Sequence, residues 1–280
     1  MPPSRVLVVC PANVTTGGPE ALHQLVDSIN RQGGHAVILY HPSGRTVPDA
    51  YSGYQIRIAK NIVDTDVVVV PEIWPEKVTH PGRTVLWWLS VDFASPKAVG
   101  STPSQHVAQS AYARTWLAER GVSASMLTDY VNPVFYDKGC VKKPMVAVNP
   151  SKGKDLIDRF RTAHPDIQLV ELAGYTRDQL VDVLNECAVY VDFGHHPGRD
   201  RLPREAAMCG ATVFLQSVGA GRFGEDYDVE DWYRFGSDGL DVLANKVREC
   251  FTTQPWQGMF RQQVEQQRTV FDRQVKELFL

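Results

Sequence analysis

The densest run of chemistry-bearing side chains lies between Val189 and Leu215, in VYVDFGHHPGRDRLPREAAMCGATVFL. His195, His196, Arg199, Asp200, Arg201, Arg204 and Glu205 crowd a segment flanked by apolar strand-like runs, Val189 to Val191 and Ala211 to Leu215. Pro203 suits the first turn of a helix, where its missing N–H has no partner to lose, and Glu205 falls in that turn. Gly210 ends this short helix. A strand end, a basic loop and a helix N-terminus therefore meet at one point. The unpaired N–H groups and partial positive charge there suit a phosphate-bearing ligand. Arginine adds bidentate phosphate contact, although one of the three can equally pair with Glu205 or Asp200. The adjacent histidines point to different sides and no Cys/Asp set completes a coordination sphere, so no metal is expected. They contact a ligand where the strand ends, or serve the structure; both readings stand.

Three other places carry usable chemistry. Lys152 and Lys154 flank Gly153 in a strand-to-helix turn, as cations for a phosphate or as an ordinary solvated turn. Gly17 and Gly18 follow the first strand in Thr15-Thr16-Gly17-Gly18-Pro19-Glu20. This is neither G-x-G-x-x-G nor a P-loop, so the glycines admit a ligand close to the backbone or simply make a tight turn. Glu72 and Asp92 follow the apolar runs Val67 to Val70 and Thr84 to Leu89. Either carboxylate is a candidate general base, and either can instead form a turn. Trp74, Trp87 and Trp88 nearby read as core.

The elements that must position these residues alternate. Arg5 to Cys10 reads as a strand, Glu20 to Gln32 as a helix and His35 to Tyr40 as a strand. Val67 to Val70, Thr84 to Leu89 and Val107 to Gln109 follow as strands, with a helix over Tyr112 to Arg120. The series restarts with a strand at Met145 to Val148, a helix at Lys154 to Thr162 and a strand at Ile167 to Leu172. A capping turn at Tyr175 to Asp178 then opens a helix over Gln179 to Cys187. Such alternation predicts an α/β chain with parallel sheets covered by helices, and the polar stretch Asn132 to Lys143 divides two Rossmann-like domains. Phe260, Val264, Phe271, Val275 and Leu278 predict a last helix. At 280 residues and 43% hydrophobic content the chain can build both cores. Its net charge of −3 disfavours a large nucleic-acid footprint. Five scattered cysteines without a C-x-x-C point to a reducing compartment. No segment suits a signal peptide or a membrane span, so the expected location is the cytoplasm, with peripheral membrane contact left open.

The run Arg201-Leu202-Pro203-Arg204-Glu205-Ala206-Ala207-Met208-Cys209-Gly210-Ala211-Thr212-Val213 resembles the donor-binding signature of GT-B glycosyltransferases, G-L-P-x-x-E-A-M-A-x-G-x-P-V. The segment Leu172 to Leu180 resembles that family's turn before the donor loop, and Tyr130 to Phe135 its exit from the first domain. Asn149 to Lys154 occupies the place of its basic loop. The resemblance implies two Rossmann-like domains facing each other across a cleft. Their expected bounds are 1–138 for the acceptor side, 139–258 for the nucleotide-sugar side and 259–280 for a helix crossing back to the first domain. It implies that Glu205 binds the donor ribose, that Lys152 or Lys154 with a loop arginine holds the diphosphate, and that Gly17-Gly18 face the donor phosphates. Many members carry a second glutamate eight residues earlier, where this chain has Pro197, and Asp200 is its displaced counterpart. The implied reaction is transfer of a sugar from a nucleotide-sugar donor to a saccharide, lipid-linked or protein acceptor, without cofactor or metal. Asp92 is the favoured base, ahead of Glu72, should the transfer invert the anomeric carbon. A non-catalytic nucleotide-binding relative and a sugar-nucleotide epimerase are the alternatives.

Overall fold

The computed structural model describes residues 5–42, 46–74 and 80–280. The chain divides into two compact units. Unit 1 comprises Met1–Tyr130, Pro197–Arg199 and Gln267–Leu280, and unit 2 comprises Val131–His196 and Asp200–Gln266.

Unit 1 contains strands β1 (Val6–Pro11), β2 (Ala36–His41), β3 (Val67–Pro71), β4 (Thr84–Trp88), β5 (Gln105–Ala108) and β6 (Ala124–Met126). They form one parallel sheet in the order β2-β1-β3-β4-β5-β6. Apart from the partly buried Val67, the runs VLVV, VVVV and VLWW are buried on both faces, which is why they read as continuous apolar stretches and not as alternations. Helices α1 (Gly17–Arg31) and α2 (Ala111–Ala118) flank the sheet. Leu22, Leu25, Val26 and Ile29 of α1 pack on Val6, Val8 and Ile38. Trp87 and Trp88 are fully buried, one on each face of the sheet.

Unit 2 contains β7 (Lys143–Val148), β8 (Gln168–Glu171), β9 (Cys187–Asp192), β10 (Thr212–Gln216) and β11 (Arg234–Phe235), in the parallel order β11-β10-β9-β7-β8. Its helices are α3 (Lys154–Ala163), α4 (Arg177–Glu186), α5 (Leu202–Met208) and α6 (Leu240–Thr253). Helix α4 opens with a complete capping box between Thr176 and Gln179. Helix α7 (Gly258–Phe279) begins in unit 2 and ends in unit 1. There Phe271 stacks on Trp87 at 6.4 Å and leans on Tyr130 at 5.5 Å. Asp272 accepts a hydrogen bond from Ser28 at 2.6 Å and pairs with Arg31 at 3.1 Å. Burying Phe271 alone contributes about 2 kcal/mol.

One expected boundary is corrected. Helix α1 starts at Gly17, so Gly17 and Gly18 are its first turn and not a loop before it. The first four N–H groups of a helix have no internal partner anyway, so the turn can begin ahead of the apolar periodicity.

Candidate functional site

In unit 2 the chain order reverses between β7 and β9, with β8 on one side and β10 on the other. Open parallel sheets hold ligands outside the carboxyl ends of the strands at such a switch point. The loops leaving β7 and β9 are pressed together there. Gly153 caps α3 with a left-handed φ of +65°, and a Cβ on it would lie 2.2 Å from the Phe193 carbonyl oxygen. A Cβ on Gly194 would fall 2.3 Å from Cβ of Lys152. Only glycine at both positions allows this approach.

The close loops bring Lys152 to Asp200, 48 residues away in sequence, with Nζ 2.5 Å from Oδ2. The same carboxylate oxygen lies 3.0 Å from Nδ1 of His196, which is fully buried. Asp192, at the end of β9, accepts from the Gly194 N–H at 3.0 Å and the Tyr190 hydroxyl at 2.7 Å. Behind them, the Asp200 carbonyl accepts from Arg204 Nε at 3.0 Å and the Tyr227 hydroxyl at 3.2 Å. Burial works to raise the Asp200 carboxyl, but His196 and Lys152 outweigh it and hold it below the usual carboxylate range.

Other expected site residues fall as follows. Glu205 is buried in the first turn of α5 behind Pro203, and Gly210 follows the helix with φ +87°. Arg204 has no exposed surface, Arg201 is half-buried, and His195 is exposed. Arg199 groups with unit 1, where its N–H donates to Gln109 Oε1 at 2.8 Å. Lys154 is exposed and pairs with Asp158 one turn along α3, so it does not join Lys152. Asp92 is exposed in a turn after β4. Glu72 is buried after β3, its two oxygens accepting from the Leu89 and Ser90 N–H groups at 3.0 and 3.1 Å. Burial pushes its carboxyl up to about 7.

Asp192, Tyr190 and Tyr227 were not among the sequence candidates. Asp192 had a signal, an acid closing an otherwise apolar strand; Tyr227 had none. Among the described residues no group of three or more His, Cys, Asp or Glu could hold a metal ion. No described helix is long and apolar enough to cross a membrane. A cavity of about 240 Å³ opens away from the switch point, beside the amino ends of β9 and β10. Its Lys142 donates to the Cys209 and Leu184 carbonyls at 2.5 and 3.3 Å, capping the carboxyl ends of α5 and α4. That cation is engaged in structure.

The chain matches no protein-family model and no curated protein. Solved structures do match. HepE from Anabaena, in complex with UDP and glucose, superposes with a TM-score of 0.71 at 12% identity over 98% of both chains. The lipopolysaccharide outer core galactosyltransferase WaaB gives 0.66 at 11% identity over 98% of both. The catalytic domain of starch synthase IV from Arabidopsis thaliana, bound to ADP and acarbose, gives 0.62 at 10% identity, covering 100% of this chain and 99% of that one. The fold is therefore that of the GT-B glycosyltransferases, with two Rossmann-like domains and a last helix returning to the first.

Proposed function

We propose that this chain is a glycosyltransferase that moves a sugar from a nucleotide-sugar donor to a hydroxyl acceptor. The observation that carries the reading is the Lys152 ammonium at the β7/β9 switch point, in a fold whose similar structures include a galactosyltransferase and complexes with UDP and with ADP. Unit 2 takes the donor and unit 1 the acceptor. Glu205 holds the ribose hydroxyls, as the motif resemblance implies. Lys152, helped by Arg201 and by His195, neutralises the diphosphate. Its cationic charge, matched to the charge that develops on the leaving group, makes a metal unnecessary. Lys154 and Gly17-Gly18 are left with lesser parts, and Arg204 supports the loop through Asp200.

Asp92 is the base for an inverting transfer, because it is exposed while both oxygens of Glu72 are occupied by backbone donors. In a retaining transfer the donor phosphate takes the proton instead. The acceptor is a saccharide, lipid-linked or protein hydroxyl. The five cysteines are all free, which supports a reducing, cytoplasmic setting. Pro197, standing where many members have the first motif glutamate, favours a second reading: a nucleotide-binding protein without transferase activity.

The deciding experiment incubates the chain with UDP-, GDP-, ADP- and dTDP-sugars and mixed saccharide acceptors, and follows release of the nucleoside diphosphate. Acceptor-dependent release, reduced at least a hundredfold in Asp92→Asn with donor affinity kept, fits an inverting transferase using that base. Nucleotide binding without turnover would replace the transferase by the second reading.

A further inference from the structure

The chain of Lys152, Asp200 and His196 holds more charge than binding a diphosphate requires. One oxygen of Asp200 serves both the ammonium and the imidazole. The opposite imidazole nitrogen, Nε2, is buried without a hydrogen bond among the described residues, 3.8 Å from Asp192 Oδ1. Every element around the ring contributes. Asp192 comes from β9, with the Tyr190 hydroxyl on its other oxygen. Asp200 and Lys152 come from the two switch-point loops. From the segment after β10, the ring of Tyr227 lies 5.5 Å away and Gly221 stands against the imidazole, where a Cβ would fall 2.9 Å from Cδ2, while Gly219 lies against the His196 carbonyl with the His195 ring beside it. Two carboxylates therefore face one ammonium and one histidine. Burial by itself would lower the imidazole, but Asp192 and Asp200 outweigh it and hold it above the usual histidine value.

We propose that His196 is a positioning residue that stores a proton between Asp192 and Asp200, so that Lys152 can exchange Asp200 for a nucleotide diphosphate. This rests on the reading that unit 2 binds such a diphosphate. In the free protein Lys152 is parked on Asp200. When the diphosphate arrives the ammonium changes partner, and Asp200 would be left as a half-buried carboxylate short of one of its two cationic partners, which is disfavoured. A protonated His196 keeps it paired. Any His196 that is neutral in the free protein takes one proton from solvent on its ring nitrogen as the ligand binds, and no other bond forms or breaks. Binding is thereby linked to proton uptake, and affinity falls as the pH rises past the imidazole's range. Lys152 is the group that touches the ligand; His196 acts through Asp200.

The test is titration calorimetry of the whole chain with UDP, ADP and GDP at pH 8, in buffers of differing ionisation enthalpy. The nucleotide that binds does so with net proton uptake, and its Kd weakens about tenfold between pH 7 and pH 9, the equivalent of one pKa unit. His196→Gln, checked as folded by circular dichroism, loses the uptake and the pH dependence. Asp200→Asn also loses the uptake, yet binds more tightly at pH 8 than the unaltered chain because Lys152 is no longer parked. Binding without proton uptake, or unchanged uptake in both variants, overturns the exchange and leaves the nucleotide site standing. A folded chain that binds none of the three overturns the nucleotide reading and the exchange with it.

Discussion

At the scale of single residues, the site depends on two glycines as much as on its charges. Gly153→Ala would set a Cβ 2.2 Å from a backbone oxygen at a left-handed φ, with no flexible side chain to give way. We expect it to cost about 2 kcal/mol or more, read as a drop in urea midpoint, and to part Lys152 from Asp200. An alanine variant with an unchanged midpoint would show that the loops are not pressed together. The His196–Asp200 pair makes a signed prediction for stability. His196 is held above its ordinary value of 6.5, so its contribution is complete below that pH and is lost as the pH rises through the raised value. Asp200 is held below 3.8, so its contribution is present above that pH and is lost as the pH falls through the lowered value. The stability lost in His196→Gln should therefore be largest near pH 6 and shrink in alkaline solution, as chemical denaturation across the pH range will show.

At the scale of elements, α7 ties its last turns into unit 1 through Phe271 and Val275. Phe271→Ala should cost about 3–5 kcal/mol, because it removes a fully buried ring from between Trp87 and Tyr130. Thermal unfolding measures this directly, and a loss below 1 kcal/mol would mean the helix end is not part of that core. The helix was legible in the sequence, since Phe271, Val275 and Leu278 recur at helical spacing, whereas its return to unit 1 was implied by the family resemblance alone. Also legible were the capping box at Thr176 and the strands of Val, Ile and Leu, each marked by a continuous apolar run. Strands β6 and β11, of three and two residues, are too short to carry one and take their shape from their neighbours. Helix α6 went unread although Leu240, Leu243, Ala244, Val247 and Cys250 all turn inward at helical spacing. In the site, Lys152, His196 and Glu205 were visible as residue types beside strand ends. Their pairing was not. A contact spanning 48 residues depends on strand order, which local patterns do not contain.

At the scale of the whole molecule, two groups in different units tilt stability towards acid. Glu72 in unit 1 is raised from 4.5 to about 7 by burial, so its contribution is complete below 4.5 and is lost as the pH rises through 7. Over that window the loss amounts to about 3 kcal/mol. His196 in unit 2 adds to the same decline. Stability should therefore fall between pH 5 and pH 8, and Glu72→Gln should flatten much of the slope; an unchanged slope would place the titrating group elsewhere. Unit 2 is proposed to hold a nucleotide diphosphate at a site built from the switch-point loops and α5. The most direct test is calorimetric binding of UDP, ADP and GDP to the unaltered chain and to Glu205→Ala. One nucleotide is expected to bind, and the variant to bind it at least tenfold more weakly, about 1.4 kcal/mol, with its fold intact. Equal affinity in the two proteins would contradict the role given to Glu205, and no binding to the folded chain would contradict the donor site itself.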